Sequence, residues 1–169
     1  MGVMPDPALG LLERYEEALP HVYGYLLARC GDRSLAEDLT AEAFLAAVVA
    51  VRGPAAPDPT VAWLIGVARH KLADHWRRLE REQRGLRLID SGTEHRDDPW
   101  DETVDAIRAR TVLAGLGPHH RAALTLRYVD GLPVGEVAAL LGRTVHATEA
   151  LLVRARNAFR RSYREEGSS

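Results

Sequence analysis

Residues 132–161 read LPVGEVAALLGRTVHATEALLVRARNAFRR, two amphipathic segments hinged at a glycine. Pro133 suits the first turn of a short helix, Val134, Val137, Ala138 and Leu141 recur at helical spacing, and Gly142 can take the left-handed conformation that ends it. Thr144 is a side-chain cap for the next helix, in which Thr148, Leu152, Ala155 and Phe159 form one apolar stripe. This is the spacing of a helix-turn-helix. Burying that stripe leaves the opposite face free to enter a major groove, which makes promoter-type DNA the first candidate partner. An ordinary helical hairpin inside a core has the same spacing, so the motif alone does not separate the two.

Working outward, the rest of the chain also predicts helices. The 169 residues suffice for one ordinary domain or two small ones, and β-branched alternation is nearly absent. The expected fold is all-α, two small helical domains joined by a flexible acidic linker, with the helix-turn-helix in the second. Domain one is expected at 1–82, the linker at 83–100, where QRGLRLIDSGTEHRDDPW loses helical period and gains Gly, Ser, Asp and Pro, and domain two at 101–169.

In the first domain an amphipathic segment over 11–19 leads to Pro20, expected to open a second helix. Ser34 and Glu37 have capping-box spacing ahead of LAEDLTAEAFLAAVVAV, RGPAAPDP breaks the chain, and Thr60 caps VAWLIGVARHKLADHWRRLERE. In the second, a helix over about 101–116 precedes one starting at Pro118.

The net charge of −2 conceals a division: residues 1–81 carry 9 basic and 11 acidic side chains, 82–106 carry 3 and 8, and 107–169 carry 10 and 5. Arg154, Arg156, Arg160, Arg161 and Arg164 gather beyond the turn, where they attract phosphate or serve as a solvated helix end. The N-terminus MGVMPDPALGLLERYEE lacks the basic flank and apolar run of a signal peptide, and no apolar stretch reaches membrane-spanning length. A cytoplasmic protein without membrane insertion is expected. Cys30 is the only cysteine and reads as core filler. His70 and His75 lack the four-residue spacing of a helical zinc pair, and no nucleotide-binding or nucleophile motif occurs, so neither metal, cofactor nor enzymatic activity is expected.

The segments AEDLTAEAFLAA, VAWLIGVARHKLADHWRR, LGPHHRAALTLRYVDGLPVGEVAALLG and TVHATEALLVRAR resemble successive blocks of the extracytoplasmic-function (group 4) sigma factors of bacterial RNA polymerase. The resemblance covers nearly the whole chain except the linker and the extreme ends. It implies a first domain that binds core RNA polymerase and the −10 promoter element, and a second that binds the −35 element. It implies that Glu37, Asp38, Leu39, Glu42 and Leu45 dock on the clamp coiled coil of the largest catalytic subunit. Ala41 departs from the usual glutamine, which should weaken that surface modestly.

By the same resemblance, residues 51–60 form the loop that captures a flipped base, while Arg52, Trp63, Arg69, His70, Lys71, Arg77 and Arg78 bind and help melt the −10 element. An aromatic surface plus cations lowers the cost of holding a base out of the stack. Trp63 and Trp76 serve equally well as core residues. His70 stands where asparagine is usual, and can pair with Asp74 one turn later. At the −35 element the contacts implied are Arg143, Thr144, His146, Ala147, Glu149, Ala150 and Arg154. Glu149 and Leu151 replace Lys and Arg, so Glu149 either reads a cytosine or weakens binding near phosphates, while an exposed Leu151 beside Leu152 would suit a protein partner. An anti-sigma factor is a further candidate partner. The alternative is a helix-turn-helix regulator, or a sigma-like protein not competent for initiation.

Overall fold

The computed structural model describes residues 6–85 and 105–168, so most of the expected linker and the start of the helix expected at 101 lie outside the described residues. Its order is α1 (Pro7–Cys30), α2 (Arg33–Val51), α3 (Val61–Arg84), α4 (Ala106–Gly115), α5 (Pro118–Leu124), a π-helical segment (Thr125–Val129), α6 (Val134–Leu141) and α7 (Val145–Glu166). There is no strand among the described residues, and no helix among them is long and apolar enough to cross a membrane. The chain divides into two compact units, 1–72 and 73–169, with α3 running through the division.

In the first unit, Asp6 caps α1 by accepting from the Ala8 N–H at 3.0 Å, and Pro7 occupies the first turn. The helix does not break at Pro20 as the sequence suggests, but continues to Cys30. Proline removes one backbone donor and crowds the preceding turn, at about 3 kcal/mol in a helix interior. Ala18, Val22 and Leu26 bury one face on both sides of it, and each large side chain so buried contributes roughly 1.5–3 kcal/mol. Gly31, at φ 68°, ends the helix in the left-handed conformation, and its N–H returns to the Leu27 carbonyl.

The cap of α2 is Asp32, whose carboxylate accepts from the Leu35 N–H at 3.0 Å; Ser34, expected to open a capping box with Glu37, is instead the second residue of the helix. Aspartate three residues ahead of that amide satisfies an orphan donor and favours the positive helix end. Small residues at the contact, Ala18 on α1 and Ala36, Ala43 and Ala47 on α2, are buried, and the Tyr15 and Phe44 rings meet edge-on at 4.8 Å between centroids. Cys30 is buried, with its thiol 3.5 Å from the Asp32 carbonyl. Thr60 caps α3 as expected, accepting from the Trp63 N–H at 3.1 Å, and Leu64, Ala68 and Leu72 are buried.

In the second unit, Asp105 caps α4, and Val112, Leu124, Ala155 and Phe159 form a core flanked by Leu113, Leu116 and Tyr163. After α5 the backbone widens into the π-helical segment, and the Asp130 N–H reaches back five residues to the Thr125 carbonyl at 2.9 Å. Such segments redirect side chains. Here Leu126 stays buried while Tyr128 and Val129 are exposed, and the Tyr128 hydroxyl takes a 2.9 Å hydrogen bond from Arg156 of α7. Gly142 is left-handed at φ 64°, and Thr144 caps α7 by accepting from the Ala147 N–H at 3.1 Å, both as the sequence predicts.

The buried stripe of α7 is wider than expected. Thr148, Leu152, Ala155 and Phe159 are buried, but Leu151 joins them at 0% exposure. It lies three residues past Thr148 and four before Ala155, which puts it on the same flank. Leu151 is therefore a core residue, and the reading of it as an exposed apolar contact for a protein partner is overturned. Leu151→Ala is expected to cost about 2–5 kcal/mol of unfolding free energy in chemical denaturation. A loss under about 1 kcal/mol would contradict that burial.

Candidate functional site

On α2, Asp38, Glu42, Leu45 and Val49 follow at offsets of four, three and four and are all exposed, so two carboxylates and two aliphatic side chains share one face. Leu45 is 67% and Val49 73% exposed, an unusual pair for a helix with a well-filled core. Leu39 does not belong to this surface: at 1% exposure it packs inward and supports the helix from beneath. Glu37 lies on the neighbouring flank, where with Thr40, Ala41 and Phe44 of α2 and Tyr15, Leu19, Pro20 and Tyr23 of α1 it lines an open depression of about 470 Å³. Sequence reasoning missed Val49 and the α1 residues. Val49 was available one turn past Leu45, but the flank of α1 depends on the helix continuing through Pro20.

The loop between α2 and α3 carries Pro54, Pro57 and Pro59, and Asp58 is 3.5 Å from Arg14 of α1. Arg52 is exposed at its start. On α3, Trp63, Arg69 and Lys71 are half-buried and His70 is exposed. The Arg69 guanidinium lies 5.8 Å from the centroid of the Tyr25 ring on α1, a residue not singled out from the sequence. Further along the same helix Trp76 is core at 3% exposure, whereas Arg77 and Arg78 are exposed. Asp74 is bound by Arg77 at 3.4 Å, not by His70 as its spacing suggested. An arginine three residues on reaches the carboxylate more readily than the shorter imidazole.

Around the turn between α6 and α7, Thr144, His146, Glu149 and Arg154 are exposed, and Arg143, Ala147 and Ala150 are half-buried. Small side chains at 147 and 150 permit close approach of a partner. Thr144 is committed to the local fold, its hydroxyl to Ala147 and its carbonyl to the Thr148 hydroxyl at 2.8 Å. Burial and then the neighbouring Arg84 push the Arg143 guanidinium below the ordinary arginine range, with Arg154 adding to this and Glu80 opposing it. Clustered cations of this kind are relieved by an anion such as a phosphate.

Glu149 is the one carboxylate among the candidate residues of this surface. Replacing it with Lys is expected to raise affinity for duplex DNA of many sequences and steepen the salt dependence by roughly one counterion, measured on the full chain by fluorescence anisotropy across a salt series. Unchanged affinity and slope would remove this flank of α7 from the DNA interface.

Residues 14–82 match sigma-70 region 2 and residues 107–159 match sigma-70 region 4, which defines the class of protein. Among its relatives, the chain is 31% identical over 147 residues to the ECF RNA polymerase sigma factor BldN of Streptomyces coelicolor, covering 83% of this chain and 55% of BldN. It is 33% identical over 153 residues to the ECF RNA polymerase sigma factor SigC of Mycobacterium tuberculosis, covering 87% of this chain and 80% of SigC. The fold is similar to that of sigma factor RpoE from Bartonella quintana, solved with the anti-sigma factor NepR, at a TM-score of 0.55 and 20% identity over 91% of this chain and 96% of that one. The chain belongs to the extracytoplasmic-function sigma factors of the sigma-70 family.

Proposed function

We propose that this sigma factor binds core RNA polymerase and directs initiation at promoters with −10 and −35 elements, residues 1–82 acting at the first and 101–169 at the second. The observation that carries the reading is the ordered pair of sigma-70 regions on one chain, at 14–82 and 107–159. An exposed docking face on α2, a cationic α3 and a capped helix-turn-helix support it. The polymerase contact is assigned to Glu37, Asp38, Glu42 and Leu45, with Leu39 as their support, and the −10 contact to Arg52, Trp63, Arg69, His70, Lys71, Arg77 and Arg78. The −35 contact is assigned to Arg143, Thr144, His146, Ala147, Glu149, Ala150 and Arg154. Proteins of this class are regulatory, and the site of action is the cytoplasm, where polymerase and promoter meet. An anti-sigma factor is a second proposed protein partner, one that would cover the polymerase-binding face.

Reconstituted transcription tests the whole. Core polymerase with this chain should give discrete RNA 5′ ends from a library of genomic fragments, where core alone gives none. A helix-turn-helix regulator, or a sigma-like protein not competent for initiation, would bind DNA and leave core polymerase without defined start sites.

A further inference from the structure

The distal part of α3, from Ala73 onward, belongs to the second compact unit. On it Trp76, Arg77, Glu80 and Arg84 fall within about 100° of one another around the helix axis, and so on one flank. That flank meets α5 and the turn between α6 and α7. Glu80 Oε2 lies 2.8 Å from His119 Nδ1 in the first turn of α5, while Glu80 Oε1 accepts from Arg84 Nε at 3.0 Å. Arg121 of α5 has its guanidinium 5.8 Å from the centroid of the Trp76 ring. The Arg77 guanidinium lies against Gly142, so closely that a Cβ there would stand 2.8 Å from Nη2. Arg143, one residue on, is held below the ordinary arginine range by burial and then by Arg84.

Two promoter contacts are thereby set side by side. Arg77 is assigned to the −10 element and Arg143 to the −35 element, which lie about 25 base pairs apart by their own names, on the order of 85 Å of duplex at about 3.4 Å per pair. Groups seated against one turn cannot reach both. Promoter binding at the two elements therefore requires this flank to leave the turn. Glu80 is the side chain best placed to resist that step: it is 14% exposed, and a largely buried carboxylate stripped of a basic partner is left with an uncompensated charge.

We propose that the distal flank of α3 and the helix-turn-helix turn form an autoinhibitory contact, latched by Glu80 and His119, which occupies Arg77 and the Arg143 turn in the free chain and opens when promoter DNA is bound at both elements. This rests on the reading of Arg77 and Arg143 as DNA contacts.

The test uses the full chain with Cys30→Ala and a donor and acceptor dye on Glu82→Cys and Ala139→Cys, two exposed positions outside every assigned contact. Energy transfer between the dyes should be high in this parent. His119→Glu sets a carboxylate against Glu80, while a carboxylate in the first turn of α5 suits the helix dipole and spares the fold. Transfer should fall. Affinity of the dye-free chain for a fluorescein-labelled random-sequence duplex should rise about fivefold, as expected if about four-fifths of free chains are closed. Charge alone predicts the reverse, because the added carboxylate repels phosphate. Glu80→Gln combined with His119→Glu carries the carboxylate across the contact at the parent's total charge, and should return transfer to the parent value and affinity to within about twofold.

Low transfer in the parent, or transfer unchanged by His119→Glu, would overturn the contact. Transfer that falls without a gain in affinity would overturn the autoinhibitory role while leaving the contact, and would place the fault in the reading of Arg77 and Arg143 as DNA contacts. Failure of the combined variant to restore transfer would assign the effect to loss of the imidazole and end the latch. Circular dichroism checks the fold, and should His119→Glu unfold, the transfer of Glu80→Gln alone, expected below the parent, decides.

Discussion

Reversing both charges on the exposed face of α2, Asp38→Lys with Glu42→Lys, is expected to weaken binding to core RNA polymerase by at least about tenfold, or about 1.4 kcal/mol. Both side chains are exposed, and neither stands within the first turn of a helix that begins at Arg33, so the substitution removes no cap and little of the favourable dipole interaction. Helical content and unfolding temperature should hold, and a loss of binding could not then be blamed on misfolding. Like charges set opposite a complementary surface cost far more than the loss of one favourable pair, which is why reversal is preferred to alanine. The defect should shrink as salt rises, because exposed charges are screened over about 8 Å at physiological ionic strength. Leu45→Ala should add a loss that salt does not relieve, since its contribution is apolar. A double variant that binds core as tightly as the parent in a competition assay would remove this face from the polymerase interface.

The parts of the fold that were legible in the sequence are those fixed by local chemistry. Thr60, Gly142 and Thr144 each act within four residues of themselves, and each was readable from residue type and position. Pro20 was misread because its local penalty is opposed by burial spread over three turns of α1, and that burial exists only once α2 has packed. The π-helical segment over Thr125–Val129 leaves no mark in a 3.6-residue pattern. Leu151 was misassigned for a related reason. Four apolar positions at offsets of four, three and four already filled a stripe, and only the packed unit reveals that the buried face has room for a fifth.

Much the same holds for the surfaces. The acidic and cationic residues of α2 and α3 were visible as types at helical spacing, whereas Val49, the depression beside Glu37 and the ring of Tyr25 were not. The depression and the ring each depend on two helices meeting, and nothing in one segment announces the other. Leu39 shows the converse error. A residue that belongs to a contiguous functional block in sequence can still point inward, because adjacent positions on a helix are about 100° apart.

Replacing Arg69 and Lys71 together with Ala is expected to reduce open-complex formation on duplex promoter about 10- to 100-fold, since each cation removed forfeits roughly 1 kcal/mol or more of charge-assisted contact to the separated strand. On a template already mismatched through the −10 element the loss should be markedly smaller, because the artificial bubble removes the unstacking and unpairing cost that these side chains help to offset. Potassium permanganate reactivity of unpaired thymines would report both. The two residues should not contribute alike. Arg69 is half-buried, with its guanidinium 5.8 Å from the centroid of the Tyr25 ring, so Arg69→Lys keeps the charge but loses the planar fork that can bind a phosphate through two N–H groups, and should recover only part of the activity. Lys71 is a compact charge on a flexible stem, for which Lys71→Arg should be nearly neutral. Arg69 is half-buried, so alanine there also removes packing of its aliphatic stem, and unfolding temperature must be followed in parallel. Equal losses on duplex and mismatched templates, at unchanged stability, would mean that these cations serve general affinity for DNA and take no part in separating its strands.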